Sequence, residues 1–234
     1  MKKTLDELLD GIEGVLFDLD GVLLDTEITY TEATRQILGP LADRFDFALK
    51  SKMMGRAPHI AAKILLEGVG STMTPDEFNQ RKRPLLLELF RKSVPKAGAP
   101  ELVFELKRRG LPLAVATSSD RLYFEAKTSH HPWFSAFDAV VCASDPGVGR
   151  HKPAPDVFLH AARQIGIAPT RAIVFEDSAA GVEAARRARV QRIVAIIDPL
   201  LDRALVEPAH HVVLSFSEIW EGAPIPAAAA QAQF

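Results

Sequence analysis

The stretch Val15-Leu16-Phe17-Asp18-Leu19-Asp20-Gly21 sets an apolar run, Val15 to Leu19, against a carboxylate-rich end and a glycine. Near-continuous apolarity over so short a length reads as a strand covered on both faces. Four further runs have the same character: Leu111 to Ala116, Ala139 to Ala143, Ala172 to Phe175 and Ile193 to Ile197. Helical patterns lie between the last four, among them Leu102, Val103 and Leu106 on one segment and Val157, Phe158, Ala161, Ala162 and Ile165 on another. Strands alternating with helices predict an α/β fold with a parallel sheet and right-handed crossovers.

The first run is far from the second, and the interval between them is helical in pattern. Ile60, Ala61, Ile64 and Leu65 share one predicted face, and Leu85, Leu86, Leu89 and Phe90 another. Gly39-Pro40, Gly55, Gly68 and Gly70 punctuate the interval, and Pro84 is expected to kink or split its last helix. The expectation is an α-helical domain, residues 25–94, inserted into a core made of residues 1–24 and 95–222, with Val94 to Pro100 as linker. The segment 223–234, rich in Pro, Ala and Gln, is expected to be a flexible tail.

Composition narrows the class of partner. The chain has 234 residues, 47% hydrophobic and 25% charged, which is a globular balance. Lys plus Arg number 28 against 30 for Asp plus Glu, a net charge of −2 without the basic surplus of a general nucleic-acid binder. One cysteine, Cys142, can form no intramolecular disulfide and no thiolate metal cluster. Asp6, Glu7 and Asp10 interrupt any signal-like apolar stretch after Met1-Lys2-Lys3, and no run is long enough to span a membrane. A cytoplasmic protein with neither nucleic acid nor membrane as partner is expected; its oligomeric state is open.

Ligands of a parallel α/β sheet bind beyond the carboxyl ends of its strands. The first run ends in Asp18-Leu19-Asp20-Gly21, the second in Thr117-Ser118-Ser119 and the fourth in Glu176-Asp177-Ser178, while Lys152 follows the third. Carboxylates crowded together repel one another unless a cation sits among them. Oxygen ligands without His or Cys favour Mg2+. An ammonium and a hydroxyl suit the remaining oxygens of a phosphoryl group as charge builds on it. Each group alone has a plain structural reading, as a helix cap, a turn or a solvated lysine. Their shared place at the ends of strands in one sheet favours the chemical one.

Asp18-Leu19-Asp20-Gly21-Val22-Leu23-Leu24-Asp25-Thr26-Glu27 resembles motif I of the haloacid dehalogenase superfamily. Thr117 is similar to its motif II, Lys152 in His151-Lys152-Pro153-Ala154-Pro155-Asp156 to motif III, and Glu176-Asp177 to motif IV. The resemblance implies a Rossmann-like core with an α-helical cap, Asp18 as nucleophile forming an aspartyl phosphate, and Asp20 as general acid and base. It implies Mg2+ held by Asp18, the Asp20 carbonyl and Asp177, with Glu176 in support, and a phosphoryl group bound by Thr117, Ser118 and Lys152. Glu27 and Arg56, in the cap segment, are the substrate-contacting candidates, with His59 beside them.

Asp20 favours phosphoryl transfer over dehalogenation within that family. A β-phosphoglucomutase would carry a histidine where Ile28-Thr29-Tyr30 follow Glu27, so hydrolysis of small phosphorylated metabolites is preferred to a sugar phosphomutase. Ala116-Thr117-Ser118-Ser119, Lys127-Thr128-Ser129-His130, Asp145-Pro146 and Met54-Gly55-Arg56 resemble the pseudouridine-5'-phosphatase group, so pseudouridine 5'-phosphate stands as a candidate among nucleotide- and sugar-phosphate-like esters. The alternatives of another class are a phospho-accepting signalling module, disfavoured by the inserted helical domain, and a non-catalytic binding protein. Two departures from the family are His151, in place of glycine before Lys152, and Arg189, where a helix-ending glycine is usual. Arg189 is expected in a left-handed conformation that costs about 1 kcal/mol.

Overall fold

The structure of the protein, a computed structural model, describes residues 4–53, 58–198 and 202–222. Six strands form one all-parallel sheet: β1 (Gly14–Phe17), β2 (Leu113–Thr117), β3 (Ala139–Cys142), β4 (Ala172–Glu176), β5 (Arg192–Ile196) and β6 (His211–Val213), in the order β3-β2-β1-β4-β5-β6. The order reverses at β1, so the carboxyl end of β1 lies at the switch point where such sheets open a crevice.

Strand alternation divides the sheet's side chains between two cores. Val15, Phe17, Val115, Ile173, Phe175 and Val194 join one, with α1 (Leu5–Leu9) and α6 (Ala99–Arg108) supplying Leu5, Leu8, Leu102, Val103 and Leu106. Leu16, Ala114, Ala116, Val174 and Ala195 join the other, with Val157, Phe158, Ala161 and Ala162 from α8 (Asp156–Gln164) and Val182, Ala184 and Ala185 from α9 (Ala179–Arg187). Coverage on both faces explains why the strands read as unbroken apolar runs. Each buried Val, Leu, Ile or Phe contributes about 1.5–3 kcal/mol against leaving it exposed.

The chain divides into two compact units, one made of residues up to Asp25 and from Val94 onward, the other Thr26–Ser93. Crossings between them run side by side, since Asp25 N donates to Val94 O at 2.9 Å and Lys96 N to Leu23 O at 2.9 Å. The second unit is helical: α2 (Glu27–Leu38), α3 (Phe47–Met53), α4 (Pro58–Val69) and α5 (Pro75–Phe90), around Leu38, Phe45, Ala62, Leu65, Leu66, Val69 and Phe78. Among the described residues no helix is long and apolar enough to cross a membrane.

Several expectations need correction. Strand β1 stops at Phe17, so Asp18 to Gly21 form the turn that follows it, closed by Gly21 N donating to Leu24 O at 2.8 Å. The other strands differ from the apolar runs by a residue or two at their ends; β4, for instance, includes Glu176 because its backbone still pairs with Ala195. Strand β6 escaped the sequence because three half-covered edge residues beginning with a histidine carry too little pattern. Pro84 does not split α5, which runs as one element although the proline costs one backbone bond, with Phe78, Leu86, Leu89 and Phe90 buried toward its two ends. The buried face of α4 is Ala62, Leu65, Leu66 and Val69, leaving Ile60 about half exposed. Pro100 belongs to the first turn of α6, where its missing N–H costs nothing, and not to a linker. The predicted tail, 223–234, lies outside the described residues.

Candidate active site

Register places the first two groups. Phe17 pairs with Phe175 on one side and Val115 on the other, so Asp18 follows β1 at the level of Glu176 and Ala116. Lys152, in the segment leading to α8, enters beneath these three ends. Its ammonium donates to an Asp18 oxygen, to Glu176 Oε1 at 2.7 Å and to Ala116 O at 3.1 Å, and lies 4.7 Å from the centre of the Phe158 ring. With side-chain exposures of 4% for Lys152, 8% for Asp18 and 1% for Glu176, each charge depends on its partners instead of water.

Glu176 is fully engaged. Its second oxygen accepts from Asp177 N and Ser178 N, both at 2.7 Å, and from Ser178 Oγ at 3.0 Å. Ser178 Oγ in turn accepts from Gly181 N and caps α9. Both readings of Glu176-Asp177-Ser178 therefore hold together: the serine caps the helix, and the carboxylates stay at the strand end. Gly181 is required by this closeness, because a Cβ there would stand 1.6 Å from Glu176 Oε1. Gly21, at φ +79°, is required twice over, since a Cβ would also meet Asp177 Oδ2 at 2.0 Å.

Asp18, Glu176 and Asp177 each offer a carboxylate oxygen within 4.8 Å of the others. Burial, followed by the negative charge of Glu176 and Asp20, pushes Asp18 up to about 7 against the pull of Lys152. Asp177 is raised well above the carboxylate range by burial and then by Glu176 and Asp18. Burial works to lower Lys152, but Asp18 and Glu176 outweigh it and hold the ammonium charged. A largely covered, all-oxygen donor set in which Asp18 and Asp177 resist ionisation fits a hard divalent cation, which would remove that repulsion.

Thr117 ends β2 completely buried, its hydroxyl accepting from Ser119 N at 3.0 Å; Ser118 beside it is exposed. Neither caps the next helix, α7 (Arg121–Thr128), which Asp120 caps instead by accepting from Tyr123 N. The Asp20 carboxylate is not one of these three and is held by Lys127 of α7 and by Ser119. Sequence reasoning assigned no role to Lys127 or Ser119. A signal existed: Lys127 stands three residues after Phe124 and next to Thr128, on the face of α7 that the fold buries.

In the helical unit, Glu27 opens α2 half exposed and pairs with Lys50 at 2.6 Å. His59 faces Asp76 at 3.3 Å and is largely exposed. Arg56, with Met54 and Gly55, lies outside the described residues. Cys142 is buried at the end of β3, its thiol pushed up to about 12 by burial, and Trp133 packs in the core.

Residues 12–189 match the family model described as haloacid dehalogenase-like hydrolase. The chain is 38% identical over 211 residues to (DL)-glycerol-3-phosphatase 2 of Arabidopsis thaliana, covering 88% of each chain. It is 36% identical over 217 residues to a Drosophila melanogaster protein named "Probable pseudouridine-5'-phosphatase", covering 91% of this chain and 94% of the relative. Among solved structures, a HAD family hydrolase from Deinococcus radiodurans R1, with bound phosphate and sodium, superposes with a TM-score of 0.75 at 25% identity, over 89% of this chain and 93% of that one. With the aspartate turn after β1, the buried lysine and the acidic end of β4 in one place, and a family model spanning most of its length, this chain belongs to the haloacid dehalogenase-like hydrolases.

Proposed function

We propose that this chain is a phosphatase of small phosphate monoesters, nucleotide- or sugar-phosphate-like, with pseudouridine 5'-phosphate and glycerol phosphate as candidate substrates and Mg2+ as cofactor. The observation that carries the reading is the convergence of Asp18, Glu176, Asp177 and Lys152 at the switch point of the sheet. Asp18, Asp177 and the Asp20 carbonyl would hold the cation, with Glu176 orienting Lys152 and the Asp177 loop. Bound there, the cation supplies positive charge to the carboxylates and to the phosphoryl oxygens.

Asp18 attacks phosphorus through a carboxylate oxygen, and the ester oxygen leaves with the bonding pair, taking a proton from Asp20. Asp20, now a carboxylate, accepts a proton from the water that attacks the phosphoryl group on Asp18. Phosphate departs, and Asp18 is regenerated. Lys152 balances the charge on the transferring group, while Thr117 and Ser118 offer it hydrogen bonds. The same reading places the protein in the cytoplasm, in keeping with its single buried thiol, and gives it no nucleic-acid or membrane partner.

Asp18→Asn removes the nucleophile but keeps the shape. Turnover of p-nitrophenyl phosphate should fall by at least about 1000-fold, a loss of roughly 4 kcal/mol of transition-state stabilisation. Activity surviving that change would sink the reading. A screen of phosphate esters then ranks the substrates.

A further inference from the structure

We infer that Lys127 is a positioning residue for Asp20, holding its carboxylate in the orientation needed for proton transfer; this rests on the phosphatase reading above. The Lys127 ammonium donates to the two Asp20 carboxylate oxygens at 2.6 and 2.8 Å and to Ser119 Oγ at 2.8 Å. Ser119 Oγ donates in turn to Asp20 Oδ2 at 2.9 Å. The side chain of Lys127 is 0% exposed and that of Asp20 27% exposed. Substrate and water can therefore reach Asp20, while the lysine acts from behind it.

Burying an ammonium is expensive unless it is paired and hydrogen bonded. Sequestering its lysine on the covered face of α7, beside Phe124 and Thr128, gives the helix nothing that an apolar residue would not give more cheaply. What it supplies is directional. A carboxylate gripped at both oxygens cannot rotate, and a proton donor displaced by about an ångström loses much of its effect.

A symmetry of purpose supports the assignment. Lys152 grips Asp18 from the α8 side of the sheet, and Lys127 grips Asp20 from α7. Each carboxylate of the turn thus has its own lysine. The two grips differ in exposure: Lys152 and Asp18 are both nearly covered, whereas Lys127 is covered and its Asp20 partner is open on one side.

The test compares kcat/KM for two esters, because that ratio reports phosphoryl transfer to Asp18 whatever limits later steps. An alkyl phosphate such as glycerol 3-phosphate expels a basic alkoxide and needs the proton from Asp20. In 2,4-dinitrophenyl phosphate the phenolate departs without one. Lys127→Met should lower kcat/KM for the alkyl ester about 100-fold more than for the aryl ester, the scale of lost general-acid catalysis. Ser119→Ala, which keeps the charge and removes the hydroxyl that bridges Lys127 and Asp20, should show the same selectivity at about a tenth of that size, and it serves if Lys127→Met does not fold. Equal losses on both esters, in a folded variant, would overturn the assignment. Wild-type protein without Asp18-dependent turnover of either ester would overturn the phosphatase reading itself, and the role of Lys127 with it.

Discussion

Gly181 shows how one missing methyl group maintains the site. In the first turn of α9 an alanine would ordinarily improve the helix by about 1 kcal/mol. Here its Cβ would overlap Glu176 Oε1, the atom that receives the Lys152 ammonium. Displacing Glu176 breaks a buried ion pair, at a cost of about 3–5 kcal/mol, so the loss outweighs the gain. Gly181→Ala should therefore destabilise the protein by about 2 kcal/mol or more and lower kcat/KM at least about tenfold. Denaturant unfolding and steady-state kinetics measure the two effects; a variant more stable than wild type and fully active would contradict this account of Glu176. Lys152 and Asp18 were legible as residues because each follows a recognisable strand. Lys127 was not, since it stands inside helix α7, at no position of the four motifs, and only the fold brings it to Asp20.

Helix α9 provides the element-scale case. Its end closes with Arg189 N donating to Arg186 O at 3.0 Å and Val190 N to Ala185 O at 3.4 Å, a pattern that needs a left-handed residue at position 189. Arg189 has φ +57°, as the sequence led us to expect, and is the one described non-glycine residue with positive φ. Arg189→Gly should raise stability by about 1 kcal/mol, the strain relieved at a closing position where glycine is preferred. Thermal or denaturant unfolding would show it, with kinetics unchanged, because Arg189 lies outside the proposed chemistry. A drop in stability would mean that the arginine side chain contributes more than the backbone strain costs. Other element boundaries were harder to read. The apolar residues of α4 could be grouped around either of two neighbouring faces, and only packing against Leu38, Phe45 and Phe78 selected the one containing Ala62 and Leu66.

Across the whole molecule, buried acidity should make stability depend on pH and on cations. In the folded, cation-free protein Asp18 retains its proton up to about 7, whereas an ordinary aspartate sheds it near 3.8. The unfolded chain therefore binds fewer protons between those values, and stability falls as pH rises through that window. Asp177 shifts in the same direction, for the same reason of burial among carboxylates. Protein stripped with a chelator should melt at a lower temperature at about pH 7.5 than at about pH 5.5, and added Mg2+ should raise the melting temperature more at the higher pH, where protons no longer compete for the carboxylates. A cation effect that is absent, or larger in acid, would remove the metal from the proposal. Whole-molecule organisation was largely legible, because the apolar core strands and the helical interval differ in periodicity. The short edge strand β6 was not, because three residues provide no period to read.

By itself, the sequence determined the α/β class and a helical interval, and pointed to Asp18, Asp20, Thr117, Lys152 and Asp177 as candidates gathered near strand ends, since strand periodicity and local order are written along the chain. Only the tertiary structure decided that Glu176 is committed to Lys152 and its own loop, and that Gly21 and Gly181 make room for carboxylates. It alone paired Asp20 with Lys127. These are contacts between groups distant in sequence, set by which strand ends and which helix face come together, and a buried charge is stabilised by whatever neighbours packing brings to it.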